Sequence, residues 1–176
     1  VGEWVDKYPE SVKALSDAGH EVMDHSNTHP HMSQLSREEI QADVTACADK
    51  IEAVTGVRPT LFRPPYGEYD DRVITAVRAL GIEPIQWDVD SLDWKDLSAE
   101  EITKRVTSKV QPGSIVLFHN AALHTPEALP GIIEYLIKDG YTLVPVSELI
   151  LPGTYGTDYT IDHTGRQMPC SSETDG

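Results

Sequence analysis

Stretches with apolar residues at helical spacing alternate along the chain with shorter, more continuous apolar runs. Val5, Val12 and Leu15 form one stripe over residues 4–18, and Gly19 supplies the stop. A short strand is predicted over 20–24. Ser36 and Glu39 make a capping box that opens a helix running to about Thr55, with Ile40, Val44, Ile51 and Val54 on its stripe and Gly56 beyond its end. Residues 60–63 read as a strand entering the rigid turn Pro64-Pro65-Tyr66-Gly67. A helix over 70–80 closed by Gly81, a strand over 83–89 and a helix from the Ser98/Glu101 capping box to about 110 follow. Pro112-Gly113 is a turn, 114–119 a strand, 125–138 a helix stopped by Gly140, and 141–146 the last strand.

This order predicts an α/β fold with parallel strands. The run Ser114-Ile115-Val116-Leu117-Phe118-His119 is apolar on successive positions, as strands covered on both faces are. About five strands are too few to close the usual eight-stranded parallel barrel. Either the sheet is open, or the first βα units lie outside these residues; the abrupt apolar opening at Val1 favours an absent upstream portion. Residues 1–151 read as one catalytic domain. Residues 152–176, rich in Gly, Thr, Asp and Ser, read as a poorly ordered or surface-hugging tail.

Charge narrows the partners. Against 14 Lys+Arg stand 29 Asp+Glu, a net charge of -15 that repels nucleic acid and anionic lipid but not neutral or amino-bearing sugars. No apolar stretch approaches a membrane span. Cys47 and Cys170 are far apart and outside any C-x-x-C spacing, so both read as free thiols.

The chemistry-bearing residues fall where strands end, the edge at which parallel α/β folds gather functional groups. His25 and His29 follow the first strand, Arg63 the second, Asp88, Asp90 and Asp93 the third, and His119 the fourth. Two imidazoles four apart, on one helical turn or around a tight post-strand turn, can aim ring nitrogens at one ion, and imidazole suits zinc and its neighbours. Capping or solvated histidines are the plainer alternative on spacing alone. His31 and His124 read as loop residues.

In His25-Ser26-Asn27-Thr28-His29, Arg63-Pro64-Pro65-Tyr66, Asp90-Ser91-Leu92-Asp93-Trp94 and Leu117-Phe118-His119 the chain resembles the NodB-type polysaccharide deacetylases, carbohydrate esterase family 4. These match that family's H-[ST]-x-x-H, R-x-P-Y, D-x-x-D-W and L-x-H motifs in order. The resemblance implies a distorted (β/α) barrel and metal-dependent removal of acetyl groups from N-acetylated amino-sugar polymers such as peptidoglycan or chitin, or from acetylated xylan. It also implies an extracytoplasmic setting. The family's first motif, T-F-D-D, is nowhere in these residues, so the general base and the third protein ligand cannot be mapped. A separate N-terminal segment completing the barrel, or a catalytically impaired carbohydrate-binding remnant, are the two expectations that follow.

Residue by residue, the resemblance makes His25 and His29 ligands of a divalent metal, zinc first, with cobalt, nickel or manganese as alternatives. Arg63 would orient the base carboxylate, and a structural pairing with Glu68 or Asp70 is the plainer reading. The Tyr66 backbone N–H would be the oxyanion donor on a turn stiffened by Pro64 and Pro65. His119 would be the general acid with Asp90 as its partner, although Asp88, two residues earlier, shares the strand face. Trp94, Leu117 and Pro65 would line the substrate pocket, with ordinary core packing the alternative for Trp94 and Leu117.

Overall fold

The computed structural model describes residues 1–150, 159–161 and 167–169. The chain forms two compact units, Val1–Gln86 and Trp87–Gly176. In the first, α1 (Gly2–Lys7) and α2 (Pro9–Asp17) replace the single helix predicted over 4–18. Pro9 is the cause: it starts a helix well but drives the preceding residue out of helical geometry, and Tyr8 sits at φ -135 and ψ 54.

The spine of this unit is α3 (Arg37–Thr55), opened by the Ser36/Glu39 capping box and closed by Gly56 in the left-handed region at φ 76. Its two apolar stripes face different partners. Ile40, Val44 and Ala48 pack with Met32, Phe62 and the α4 residues Val73, Ala76 and Val77, where α4 spans Asp71–Arg78. Cys47 and Ile51 pack instead with Val5 of α1 and Val12 of α2. β1 (Leu61–Phe62) pairs in parallel with β2 (Glu83–Pro84), and the predicted strand over 20–24 contracts to one parallel bridge between Asp24 and Phe62.

In the second unit β3 (Val89–Asp90) pairs in parallel with β4 (Val116–Leu117). The predicted strand over 83–89 is therefore two, one per unit. α5 (Ala99–Thr107), capped by the Ser98/Glu101 box, and α6 (Thr125–Lys138) bury Ile102, Val106, Ala128, Ile132 and Leu136 against Val89. The strand predicted over 141–146 does not form. Leu143 and Val144 are exposed, no backbone ladder pairs residues 142–145 among the described residues, and α7 (Val146–Leu149) begins where the strand was to end. Most of the predicted tail lies outside the described residues. Within it, β5 (Tyr159–Ile161) and β6 (Gln167–Pro169) pair antiparallel, which its polar composition did not suggest. No described helix is long and apolar enough to cross a membrane.

Candidate active site

In the first unit, the bridge between Asp24 and Phe62 ends on a loop that carries both imidazoles. Asp24 donates its N–H to the Leu61 carbonyl and accepts the Arg63 N–H, which fixes where the chain leaves the sheet. Asp24 Oδ1 then accepts the Ser26 N–H at 2.7 Å, and Ser26 Oγ accepts the His29 N–H at 2.9 Å. Ser26 and His29 both adopt left-handed backbone, at φ 69 and 57. Each such residue is strained by about 1–3 kcal/mol, so it persists only where its surroundings over-determine it. Of the two geometries open to the pair, the tight post-strand turn is the one adopted.

The His25 and His29 rings lie 5.0 Å apart between centroids at 73°. His25 Nδ1 is 2.6 Å from the Arg63 carbonyl, so Nδ1 carries the proton and Nε2 keeps its lone pair. That outer hydrogen bond is how metal-binding imidazoles are oriented. Burial, reinforced by the neighbouring His29 and opposed by the Arg63 carbonyl, lowers the His25 pKa to about 4. His25 is therefore neutral at physiological pH, the state a metal requires. The donor set fits a divalent ion, although among the described residues no cluster of three or more His, Cys, Asp or Glu side chains is built to hold one.

The turn after β1 stands beside this pair. Tyr66 adopts φ 59 and Gly67 φ 70, and Tyr66 is exposed. No acceptor among the described residues pairs with its N–H. Its ring meets the His29 ring edge-on at 4.6 Å and stacks on His31 at 4.3 Å and 13°. His31 Nδ1 bonds Glu68 Oε1 at 2.9 Å, and Glu68 Oε2 accepts from Ser33 at 3.2 Å. His31 is a loop residue, but one that braces the Tyr66 ring.

In the second unit His119 follows β4. Its Nδ1 lies 2.8 Å from Asp93 Oδ1, its N–H reaches both Asp93 oxygens, and Thr125 donates to Asp93 Oδ2 at 2.6 Å. Asp93 is buried. Burial alone would raise its pKa, but hydrogen bonds from Thr125, His119 and Ser91 outweigh it and hold the carboxyl below its usual value. The exposed Trp94 ring meets His119 edge-on at 6.3 Å.

The family model described as polysaccharide deacetylase matches residues 1–85. The peptidoglycan-N-acetylmuramic acid deacetylase PdaC of Bacillus subtilis is 36% identical over 149 residues, 85% of this chain and 31% of that protein. The solved structure of peptidoglycan deacetylase PdaC from Bacillus subtilis superposes with a TM-score of 0.76 at 37% identity, covering 85% of this chain and 72% of that one. The chain belongs to the polysaccharide deacetylase family. A pseudoenzyme of the same family from Bacillus anthracis, BA3943, is also similar, with a TM-score of 0.80 at 36% identity over 84% of this chain and 52% of that one. A mutant of BA3943 is described as having restored enzymatic activity. The fold is thus of the (β/α)-barrel deacetylase type, and the chain spans about a third of the curated PdaC sequence.

Within the polysaccharide deacetylase motifs, one expectation is corrected. The carboxylate at His119 is Asp93, not Asp90. Asp90 accepts the Leu92 N–H at 2.9 Å, and its carbonyl accepts Arg105 Nε at 2.8 Å. Asp88, the other candidate, accepts from Ser114 and from the Ile115 N–H, latching the entry to β4. The resemblance assigns this role to Asp90, at the end of β3, whereas Leu92 turns left-handed at φ 53 and the next residue, Asp93, is the one that meets His119.

The other motif residues fall as follows. Glu68 and Asp70, the expected partners of a structural Arg63, serve His31 and the N-cap of α4. Burial lowers the Arg63 pKa, and at neutral pH its guanidinium stays charged. Leu117 is buried in the β3–β4 pair and Pro65 is buried in its turn, so neither presents a bare surface, unlike Trp94. His124 stands at the start of α6, 3.7 Å from Glu127.

Asp24 carries a testable cost. Burial raises its carboxyl to about 6, opposed by the Ser26 N–H and the Cys47 thiol. That thiol is itself pushed up to about 12 and is inert packing. An unfolded Asp titrates near ~3.9. The folded state therefore binds more protons between the two values, and stability falls as pH rises from about 4 to 6. Asp24→Asn keeps an acceptor for Ser26 and removes the charge. Urea unfolding in EDTA should find it more stable by roughly 3 kcal/mol at pH 7 and unchanged below pH 4. Equal midpoints at pH 7 would show the carboxyl to be solvated.

Proposed function

We propose that this chain is the metal-binding part of a hydrolase that removes acetyl groups from an N-acetylated amino-sugar polymer of the cell wall, peptidoglycan first. The observation that carries the reading is the His25–His29 pair, with one ring neutral and tethered through Nδ1 so that Nε2 remains for an ion. A divalent ion there, zinc by ligand preference, supplies Lewis-acid polarisation of the acetyl carbonyl and activation of water.

The chain's own groups do the rest. The Tyr66 N–H, without an acceptor among the described residues and on a stiff left-handed turn, donates to the oxyanion of the tetrahedral intermediate. His119, with Nδ1 committed to Asp93, uses Nε2 to deliver a proton to the leaving amine. The exposed Trp94 indole provides an apolar wall beside that ring. A net charge of -15 does not repel the uncharged N-acetylated sugar units of such a polymer. We place the reaction outside the cytoplasm, where such polymers lie.

These 176 residues carry no T-F-D-D run to supply the base and a carboxylate ligand. Zinc titration of the chain should find about one site. Acetate release from chitotetraose should be weak until an N-terminal segment bearing that motif is joined to it. A fusion that binds zinc yet leaves chitotetraose and peptidoglycan fragments acetylated would favour the second reading, a carbohydrate-binding protein without catalysis, in a family that also contains the pseudoenzyme BA3943. Release confined to acetylated xylan would reassign the substrate to an ester. Absence of any zinc site would end the reading.

A further inference from the structure

The loop between the two imidazoles is held by more than its own bonds. Asp43 projects from the middle of α3 and is half-buried. Its Oδ1 accepts the Asn27 N–H at 2.7 Å, and its Oδ2 accepts the Thr28 hydroxyl at 2.8 Å. Both partners lie in the three-residue stretch that joins His25 to His29. Opposite them, Gly2 and Glu3 of α1 donate their N–H groups to the Ser26 and Asn27 carbonyls at 3.0 and 3.2 Å. Gly2 permits this approach, because a Cβ there would stand 2.2 Å from Asn27 Oδ1. Lys50, about two turns further along α3, bonds the same Asn27 Oδ1 at 2.8 Å.

A loop strained at Ser26 and His29 relaxes unless something opposes it. The bonds from Asp24 and Ser26 fix its first turn, but the separation of the two rings depends on residues 27 and 28, and those are the residues Asp43 grips. Hydrogen bonds to a carboxylate are shorter and roughly twice as strong as neutral ones. Asp43 is also well anchored. Ile40 and Val44, on either side of it, are fully buried in the core, so it refers the loop to a rigid element.

We propose that Asp43 is a positioning residue for the metal pair. It sets the spacing and orientation of His25 and His29 from the helix behind them and is not itself a ligand, since no third His, Cys, Asp or Glu side chain among the described residues groups with the pair. This inference rests on the metal reading above and goes beyond it, because nothing in the four motifs includes α3.

Zinc affinity of the 176-residue chain, measured by competition with a chromophoric chelator, tests it. Outer-shell partners are typically worth 10–100-fold in affinity, so Asp43→Ala should weaken binding about that much. Asp43→Asn, which keeps one acceptor for Asn27, should fall between variant and parent. Asp49→Ala removes an exposed bridge to Arg58 on the same helix and should bind as the parent does. Unfolding in EDTA separates lost positioning from lost stability, because a merely structural Asp43 would change the unfolding midpoint and leave zinc affinity alone. Should Asp43→Ala fail to fold, Thr28→Val removes a single bond and should still cost several-fold. Parent-like affinity in Asp43→Ala, or in both Asp43→Asn and Thr28→Val, overturns the proposal while the metal reading stands. A parent chain that takes up no zinc overturns both.

Discussion

A His25→Ala/His29→Ala double variant will emerge from dialysis with no zinc, where the parent chain retains about one ion. The two rings are 5.0 Å apart between centroids, and the nearer polar groups are already committed. Glu68 is taken by His31 and Ser33, and Asp43 by Asn27 and Thr28. Among the described residues no group of three or more His, Cys, Asp or Glu side chains offers the ion another site. Elemental analysis of the gel-filtered protein reads the result directly, and far-UV circular dichroism confirms the fold. The fold should persist, since neither ring belongs to a core cluster. Alanine at position 29 inherits the left-handed backbone, at a cost of about 1–2 kcal/mol. Undiminished zinc in the double variant would place the ion elsewhere and remove the chemical basis of the deacetylase proposal. Each single variant should retain zinc only weakly, because one imidazole at a half-buried site leaves the ion to water.

Much of this framework was legible in the residues because its determinants are local. The two capping boxes and Gly56 decide helix ends within a single turn, and α3, α4, α5 and α6 begin and end close to where those signals lie. What depended on partners was not legible. The stripe Val5, Val12 and Leu15 bridged a proline that ends one helix and starts another, and Leu15 is in fact exposed. Residues 141–146 are apolar enough for a strand, yet a strand exists only where another chain segment offers a ladder.

The site divides the same way. His25 and His29 sit on five contiguous residues, so their proximity was readable. Asp93 had to be distinguished from Asp90 and Asp88, and that choice turns on one left-handed residue, Leu92, for which the sequence carries no glycine as a signal. Asp43 lies on a helix between two core residues, where nothing local marks an acid that faces a loop 15 residues earlier.

His119→Ala should lower acetate release from chitotetraose by 10²–10⁴-fold in a fusion of this chain to a segment bearing T-F-D-D, with zinc content unchanged. The imidazole is the only part of His119 lost, and its backbone N–H to Asp93 remains, so the loop after β4 has reason to keep its path. Asp93→Asn attacks the same chemistry differently. An amide offers one acceptor oxygen where the carboxylate served the His119 ring, the His119 N–H and Thr125. A buried donor left unpaired costs about 1–3 kcal/mol, so this variant should lose stability as well as turnover. His119→Ala should not share that loss, because the two remaining donors still satisfy Asp93. In both variants kcat should fall with little change in KM, the signature of a group that acts in the transition state and not in ground-state binding. Persistent turnover in His119→Ala would remove the ring from the reaction. The Asp93 network would then be a structural latch between the turn after β3 and the start of α6.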